Sequence, residues 1–264
     1  MPLELSKCGR KYGAKRDVRD HRDRMFTARA LQFAPVADTR SFCGPVKDQG
    51  DEGSCTGHAG SSYVEWVERR YRGKQPLLSP QDLYVQELVL EGDFPEDCGA
   101  QPRTICKVLT SAGVCEEQLY PYVVGQLQPS TAEQRQNALL YKQGAYHRLT
   151  GAREFVACLG DAVPWPVLVG FMVYESFESD AVARSGVMTT PQPGEASLGG
   201  HEVLGVGYDI GTVPAIRPRG CPAAALIQNS WGTDWGISGF FWMPLAVLES
   251  PDTDLWMVHP GRPW

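Results

Sequence analysis

Gln49-Gly50-Asp51-Glu52-Gly53-Ser54-Cys55-Thr56-Gly57-His58 is the stretch on which the reading of this chain turns. Cys55 opens a segment in which Tyr63, Trp66, Val67 and Arg70 recur at spacings of three and four, so a helix is expected from Cys55 to Tyr71. A thiol at a helix N-terminus has the dipole on the side of its thiolate, and a neighbouring imidazolium favours ionisation further. Gly53 lets the backbone approach a substrate. Gln49 carries an amide N–H able to donate to a developing oxyanion, with the Cys55 backbone N–H as second donor. Read alone, Cys55 is equally well a small buried hydrophobe. Ser54 is a competing nucleophile by type, but it gains less from a helix dipole.

Two later segments weigh the balance. Gly199-Gly200-His201-Glu202-Val203 places a histidine at the start of an expected strand, behind two glycines that keep side chains out of a cleft. Gln228-Asn229-Ser230-Trp231-Gly232 places an asparagine at the end of another. An asparagine amide accepts the imidazole proton and fixes its tautomer. Trp231 is positioned to shield that bond from water. Cys55, His201, Asn229 and the oxyanion donor Gln49 are therefore the expected catalytic set. His58, one turn after Cys55, reads as a hydrogen-bonded residue facing the core, with a second base or pKa modulator as the alternative.

Outside these segments the chain excludes more than it selects. Its 264 residues are 42% hydrophobic, enough for one large domain or two small lobes. The net charge is -6, and the basic cluster from Arg10 to Arg24 is interleaved with Asp17, Asp20 and Asp23, so no nucleic-acid footprint emerges. No apolar run is long enough to span a bilayer, and no apolar core of a secretory signal opens the chain, so a cytoplasmic protein is expected. Eight cysteines include no Cys-x-x-Cys pair and no zinc-finger spacing, so free thiols and no metal are expected. Gly205-Val206-Gly207 lacks the third glycine of a dinucleotide site. No cofactor is expected.

Residues 1–38 are polar and read as an extended strap. Ser79-Pro80-Gln81-Asp82 is a strong helix start, with a serine cap, a proline at the first helical position and an acid in the first turn. That helix should end near Gly92, a third should cover Arg103–Ala112, and residues 130–141 are weakly helical. Strands are expected over Val163–Val173, His201–Tyr208, Ala223–Gln228 and Gly239–Met243. Helices early and strands late indicate α+β, with a mainly helical lobe at 39–150 and a mainly β lobe at 151–264.

These segments together resemble the papain-like cysteine proteases. The order Gln49, Cys55, His201, Asn229 is the family's. Asn229-Ser230-Trp231-Gly232-Thr233-Asp234-Trp235-Gly236 resembles its asparagine segment, and Leu78-Ser79-Pro80-Gln81-Asp82-Leu83 its second-helix start. Tyr120-Pro121-Tyr122 matches a landmark, and Val173-Tyr174-Glu175-Ser176-Phe177 is similar to bacterial members in particular. The resemblance covers about residues 40–245. It implies a two-lobe fold, a helical lobe and a β-barrel-like lobe, with the active site in the cleft between them. It implies a peptidase acting through a thioester acyl-enzyme on peptide or protein substrates. It also implies a main-chain hydrogen bond to substrate at Gly99, and in residues 1–38 a short N-terminal extension that packs outside a lobe or lies across the cleft as a lid. The same triad would serve an acyl transferase or ligase, and a vestigial binding module is a third reading. Three positions depart from the family: Glu52 stands where a cysteine usually forms a disulfide, Thr56 replaces an aromatic residue, and His58 replaces an apolar one.

Overall fold

The computed structural model describes residues 3–28 and 33–261. The remaining part of the N-terminal strap, residues 1–2 and 29–32, lies outside the described residues.

A short strand β1 (Val36–Asp38) leads into the first helix, α1 (Cys55–Arg72). This helix has no solvent face over its first fourteen residues, Cys55 to Glu68, all of which are buried. Two further helices, α2 (Pro80–Glu91) and α3 (Pro102–Ser111), cover one side of it. The close crossing rests on glycine: a Cβ at Gly57 would stand 2.4 Å from the Pro80 carbonyl oxygen, and one at Gly60 would stand 2.5 Å from a Leu83 methyl. The start of α2 forms as its sequence requires. Ser79 Oγ accepts the Asp82 N–H at 3.0 Å, Pro80 takes the first turn, and Gly92 closes the helix in the left-handed region at φ 81°.

After a short helix α4 (Ala132–Ala138), capped by a Thr131–Gln134 capping box, the chain enters the sheet. The strands are β2 (Gln143–Leu149), β3 (Val167–Tyr174), β4 (Ser197–Asp209), β5 (Ala224–Gln228), β6 (Phe240–Pro244) and β7 (Asp254–Pro260). They run antiparallel in the order β2-β7-β3-β4-β5-β6, with β1 paired to β4. Helices α5 (Ala152–Gly160), α6 (Asp180–Ser185) and α7 (Leu245–Leu248) pack around this sheet. Strand β4 is the hinge of the architecture: it pairs with β3 and β5 and packs on α1. One continuous core results, running from Trp66 in α1 to Trp242 and Trp256 in the sheet.

The α+β reading and its two-lobe arrangement hold. Strand β2 ends just before residue 150 and pairs with β7 in the sheet, and β1, which lies before residue 39, pairs with β4. Strand β2 carries little alternation of apolar and polar residues; its place is set by its partner, not by its own pattern. No described helix is long and apolar enough to cross a membrane.

Candidate active site

Cys55 is the first residue of α1 and is fully buried. The main chain of Glu202 and of Gly13 lies against its thiol. Ser54, the rival nucleophile, is already engaged: its Oγ lies 2.8 Å from the Tyr122 hydroxyl and 3.3 Å from His58 Nδ1.

His201 comes from β4 and Asn229 from the end of β5. Asn229 Oδ1 sits 2.8 Å from His201 Nε2. A carbonyl oxygen only accepts, so Nε2 carries the proton and Nδ1 is left as the basic nitrogen. Nδ1 has no hydrogen-bond partner among the described residues. The Trp231 indole stacks on the imidazole, with centroids 5.0 Å apart and planes at 25°. Gln49 is held from both ends of its amide. Its Oε1 accepts from Ser230 Oγ at 2.7 Å, and its Nε2 donates to the Glu52 carbonyl at 3.0 Å and to the Lys11 carbonyl at 3.5 Å. Ser230 escaped the sequence reading, although it neighbours Asn229 and its hydroxyl sets the direction of the Gln49 amide.

The carbonyl of Lys11 belongs to the N-terminal strap, and the strap runs through this site. Ala100 N–H donates to the Gly13 carbonyl at 2.8 Å, Lys15 N–H donates to the Ala100 carbonyl at 2.9 Å, and Ala14 N–H donates to the Gly200 carbonyl at 2.9 Å. Tyr12 packs edge-on against His201 and donates its hydroxyl proton to Glu178 at 2.5 Å. Gly99 N–H donates to the Tyr84 hydroxyl at 2.9 Å, and its neighbour Ala100 makes the main-chain pairs with the strap. Gly99 is needed for clearance: a Cβ there would stand 1.9 Å from the Gly13 carbonyl oxygen.

Burial acts on both groups of the site. Loss of water pushes the Cys55 thiol up to about 12 and the His201 imidazole down to about 4. Desolvation thus acts against the helix N-terminus, which favours the thiolate.

The three departures each have a physical account. Glu52 takes the place of a covalent link with hydrogen bonds: its carboxylate accepts the Gly125 N–H at 2.8 Å and Gln81 Nε2 at 3.3 Å. Thr56 donates its hydroxyl to Glu87 at 2.5 Å, under α2. His58 bonds the Ser54 carbonyl through Nδ1 at 2.9 Å and packs on Tyr122, and burial pushes it down to about 3. The eight cysteines are free thiols.

A cysteine at a helix start in one lobe, opposite a histidine–asparagine pair on the sheet of the other, defines the class as a two-lobed thiol hydrolase. The chain belongs to the papain family of cysteine proteases: the profile described as "Papain family cysteine protease" matches residues 34–249. Among solved structures it is similar to xylellain, a cysteine protease from Xylella fastidiosa, with 28% identity, a TM-score of 0.81 and coverage of 95% of this chain and 96% of that one. It is 29% identical over 226 residues to an uncharacterized peptidase C1-like protein of Acanthamoeba polyphaga mimivirus, covering 80% of this chain and 68% of that protein. It is 30% identical over 229 residues to the oryzain gamma chain of Oryza sativa, covering 84% of this chain and 58% of the relative.

Proposed function

We propose that the protein is a peptidase that cleaves peptide bonds through Cys55, His201 and Asn229, and that residues 10–17 restrain it. The carrying observation is the 2.8 Å contact between His201 Nε2 and Asn229 Oδ1, which leaves Nδ1 free to take the thiol proton. In this reading His201 draws the Cys55 proton and the sulfur attacks the substrate carbonyl. The oxyanion receives hydrogen bonds from the Cys55 backbone N–H and Gln49 Nε2. His201 then protonates the leaving amine, and a water molecule, activated by the same imidazole, cleaves the thioester. Trp231 keeps water from the His201–Asn229 bond. No cofactor enters this cycle.

The restraint rests on position. The Lys11 carbonyl occupies the reach of Gln49 Nε2, and Gly13 lies beside the thiol, where a substrate main chain would have to lie. Strap and substrate are then mutually exclusive, and turnover follows the fraction of molecules whose strap is displaced. Eight free thiols suit a reducing compartment such as the cytoplasm.

The test is turnover of a peptide amide and labelling by a thiol-directed peptidyl epoxide, with the intact chain and its Cys55→Ala variant. Both signals should vanish in the variant. Turnover that survives the substitution defeats the assignment, and transfer to an added amine instead of water would reassign it as a transferase.

A further inference from the structure

Glu202 is fully buried next to the proposed base, and neither of its carboxylate oxygens has a hydrogen-bond partner among the described residues. Buried carboxylates are costly unless paired, so an unpartnered one asks for a function. Side chains alternate along β4, so Glu202 points away from the His201 face. Its cross-strand neighbour on β3 is Gly170, and Gly170 in turn faces Asp254 on β7. One row of the sheet thus reads acid, glycine, acid. The missing side chain of Gly170 leaves a recess: a Cβ there would meet Glu202 Oε2 at 2.6 Å and Pro102 Cγ at 3.0 Å. A residual cavity of about 20 Å³ reaches Gly170 and Asp254 from the strap side, bounded by Ala14 and Lys15. The main-chain slot formed by Ala100 and Gly200 lies against the same strap residues.

Only one of the two acids is satisfied. Asp254 binds Arg148 and accepts the Asp17 N–H at 2.9 Å. The charged groups acting on Glu202 are Asp17, Asp254 and Glu87, all carboxylates; together with burial they push its carboxyl well above the usual range. The strap residues Ala14, Lys15 and Arg16 line the cavity beside Gly170 and supply no counter-ion to Glu202.

Resting on the peptidase reading above, we propose that the recess between Gly170, Glu202 and Pro102 is a specificity subsite for a basic side chain, and that Glu202 is its counter-ion. The substrates are then peptides carrying lysine or arginine at the residue whose side chain enters beside the Ala100–Gly200 slot. A cation there would satisfy both orphan oxygens at once, and arginine does so with a planar fork. Arg148 is held by Asp254 and does not serve that role. Arg103 is turned to Asp23, with Nη2 to Oδ2 at 2.7 Å.

The experiment measures the rate at which peptidyl epoxides label Cys55 in the intact chain. The probes differ in one side chain, Arg, norleucine or Glu, with each position varied in turn. The occluded fraction slows all probes equally, so their ratio reports the subsite. At one position Arg should label at least about tenfold faster than norleucine, with Glu slowest, as an interfacial ion pair implies. Glu202→Gln, which keeps the shape of a neutral carboxyl, should bring Arg to within about twofold of norleucine when both probes are compared on that variant. Glu202→Met is the second variant and should give the same loss. Equal rates for Arg and norleucine in the unaltered chain overturn the subsite, as does a preference for Glu or an Arg preference that survives both variants. In each of these cases labelled Cys55 leaves the peptidase reading standing. If no probe labels Cys55 in the folded chain, the thiol reading fails and the subsite falls with it.

Discussion

The Tyr12 ring stands edge-on to the His201 imidazole, with centroids 6.0 Å apart and planes at 76°. A second contact places the same ring 6.2 Å from Trp231, and its hydroxyl reaches Glu178. Tyr12 is thus the strap's apolar anchor over the His201–Asn229 pair. Tyr12→Ala removes an aromatic side chain worth about 3–5 kcal/mol when buried. Labelling of Cys55 by a peptidyl epoxide should accelerate by more than about tenfold. Tyr12→Phe, which loses only the Glu178 hydrogen bond, should give a smaller rise. An unchanged rate in Tyr12→Ala would mean the strap does not limit access.

The His201–Asn229 contact sets a ranking of rate effects. Removing the base in His201→Ala should lower peptide turnover by about 10³–10⁴-fold, the range of general acid–base catalysis. Asn229→Ala leaves the base in place and removes its orienter, so a loss nearer 10–10²-fold is expected, of the order of other outer-shell partners. Steady-state turnover of both variants, corrected for the amount of folded protein, gives the order. The reverse order would transfer the decisive role to Asn229.

Much of this arrangement was legible in the sequence because it is local. The helix beginning at Cys55, the capped start at Ser79 and the strands carrying His201 and Asn229 are each written in a few contiguous residues. What was not legible depends on pairing across the fold. Strand β2 is a strand because β7 lies beside it. Ala100 rather than Gly99 pairs with the strap because Tyr84 takes the Gly99 N–H first. The surroundings of Cys55 divide in the same way: its place at a helix start is visible locally, but its burial beside Gly13 of the strap is not. Glu202 had a signal, since period-two alternation from His201 puts it on the opposite face, yet nothing local reports that this face is buried and without a partner.

The strap is fastened at its edges by charge. Lys7 meets Glu175 at 3.3 Å, Arg10 meets Asp48 at 2.7 Å and Lys11 meets Asp97 at 2.8 Å. Lys15 meets Asp93 at 2.6 Å and Arg16 meets Asp252 at 2.8 Å. These pairs are partly solvated, so each contributes little and all are screened together. Raising salt from about 0.05 to 0.5 M shortens the Debye length from roughly 14 to 4 Å and should speed Cys55 labelling severalfold.

Stability, by contrast, should hinge on Glu65. Its Oε1 accepts the Leu78 N–H at 2.8 Å and lies 2.8 Å from Lys47 Nζ, joining α1 to the approach of α2 and to the loop before Gln49. Glu65→Ala leaves a buried N–H without a partner and a lysine ammonium without its counter-ion, a loss of about 3–5 kcal/mol. Thermal and denaturant unfolding of the variant give the figure directly. A midpoint within a degree or two of the unaltered chain would show that Lys47, which also reaches Ser61 Oγ at 2.7 Å and the Leu78 carbonyl at 3.0 Å, is sufficient alone.

Asp17 gives the strap a pH dependence whose sign can be worked out. In the docked strap its carboxylate accepts the Arg103 N–H at 3.1 Å and Trp256 Nε1 at 2.8 Å. Burial first, and the charge of Asp254 second, nevertheless raise it to about 6. Released into water it returns to the ordinary value of about 3.9. The docked form therefore holds its proton more tightly than the free form, and docking is favoured by acid. The contribution is fully present below about pH 4 and is lost as pH rises through about 6, a window of about two pKa units and so at most roughly a hundredfold in the docking equilibrium. Hydrogen-exchange protection of residues 10–18, corrected for intrinsic exchange, should rise as the pH is lowered from 7 to about 5. Asp17→Asn removes the titrating group while keeping an acceptor for Arg103 and Trp256, and it should flatten that dependence. Protection that falls on acidification, or that rises equally in Asp17→Asn, would assign the titration to a different group.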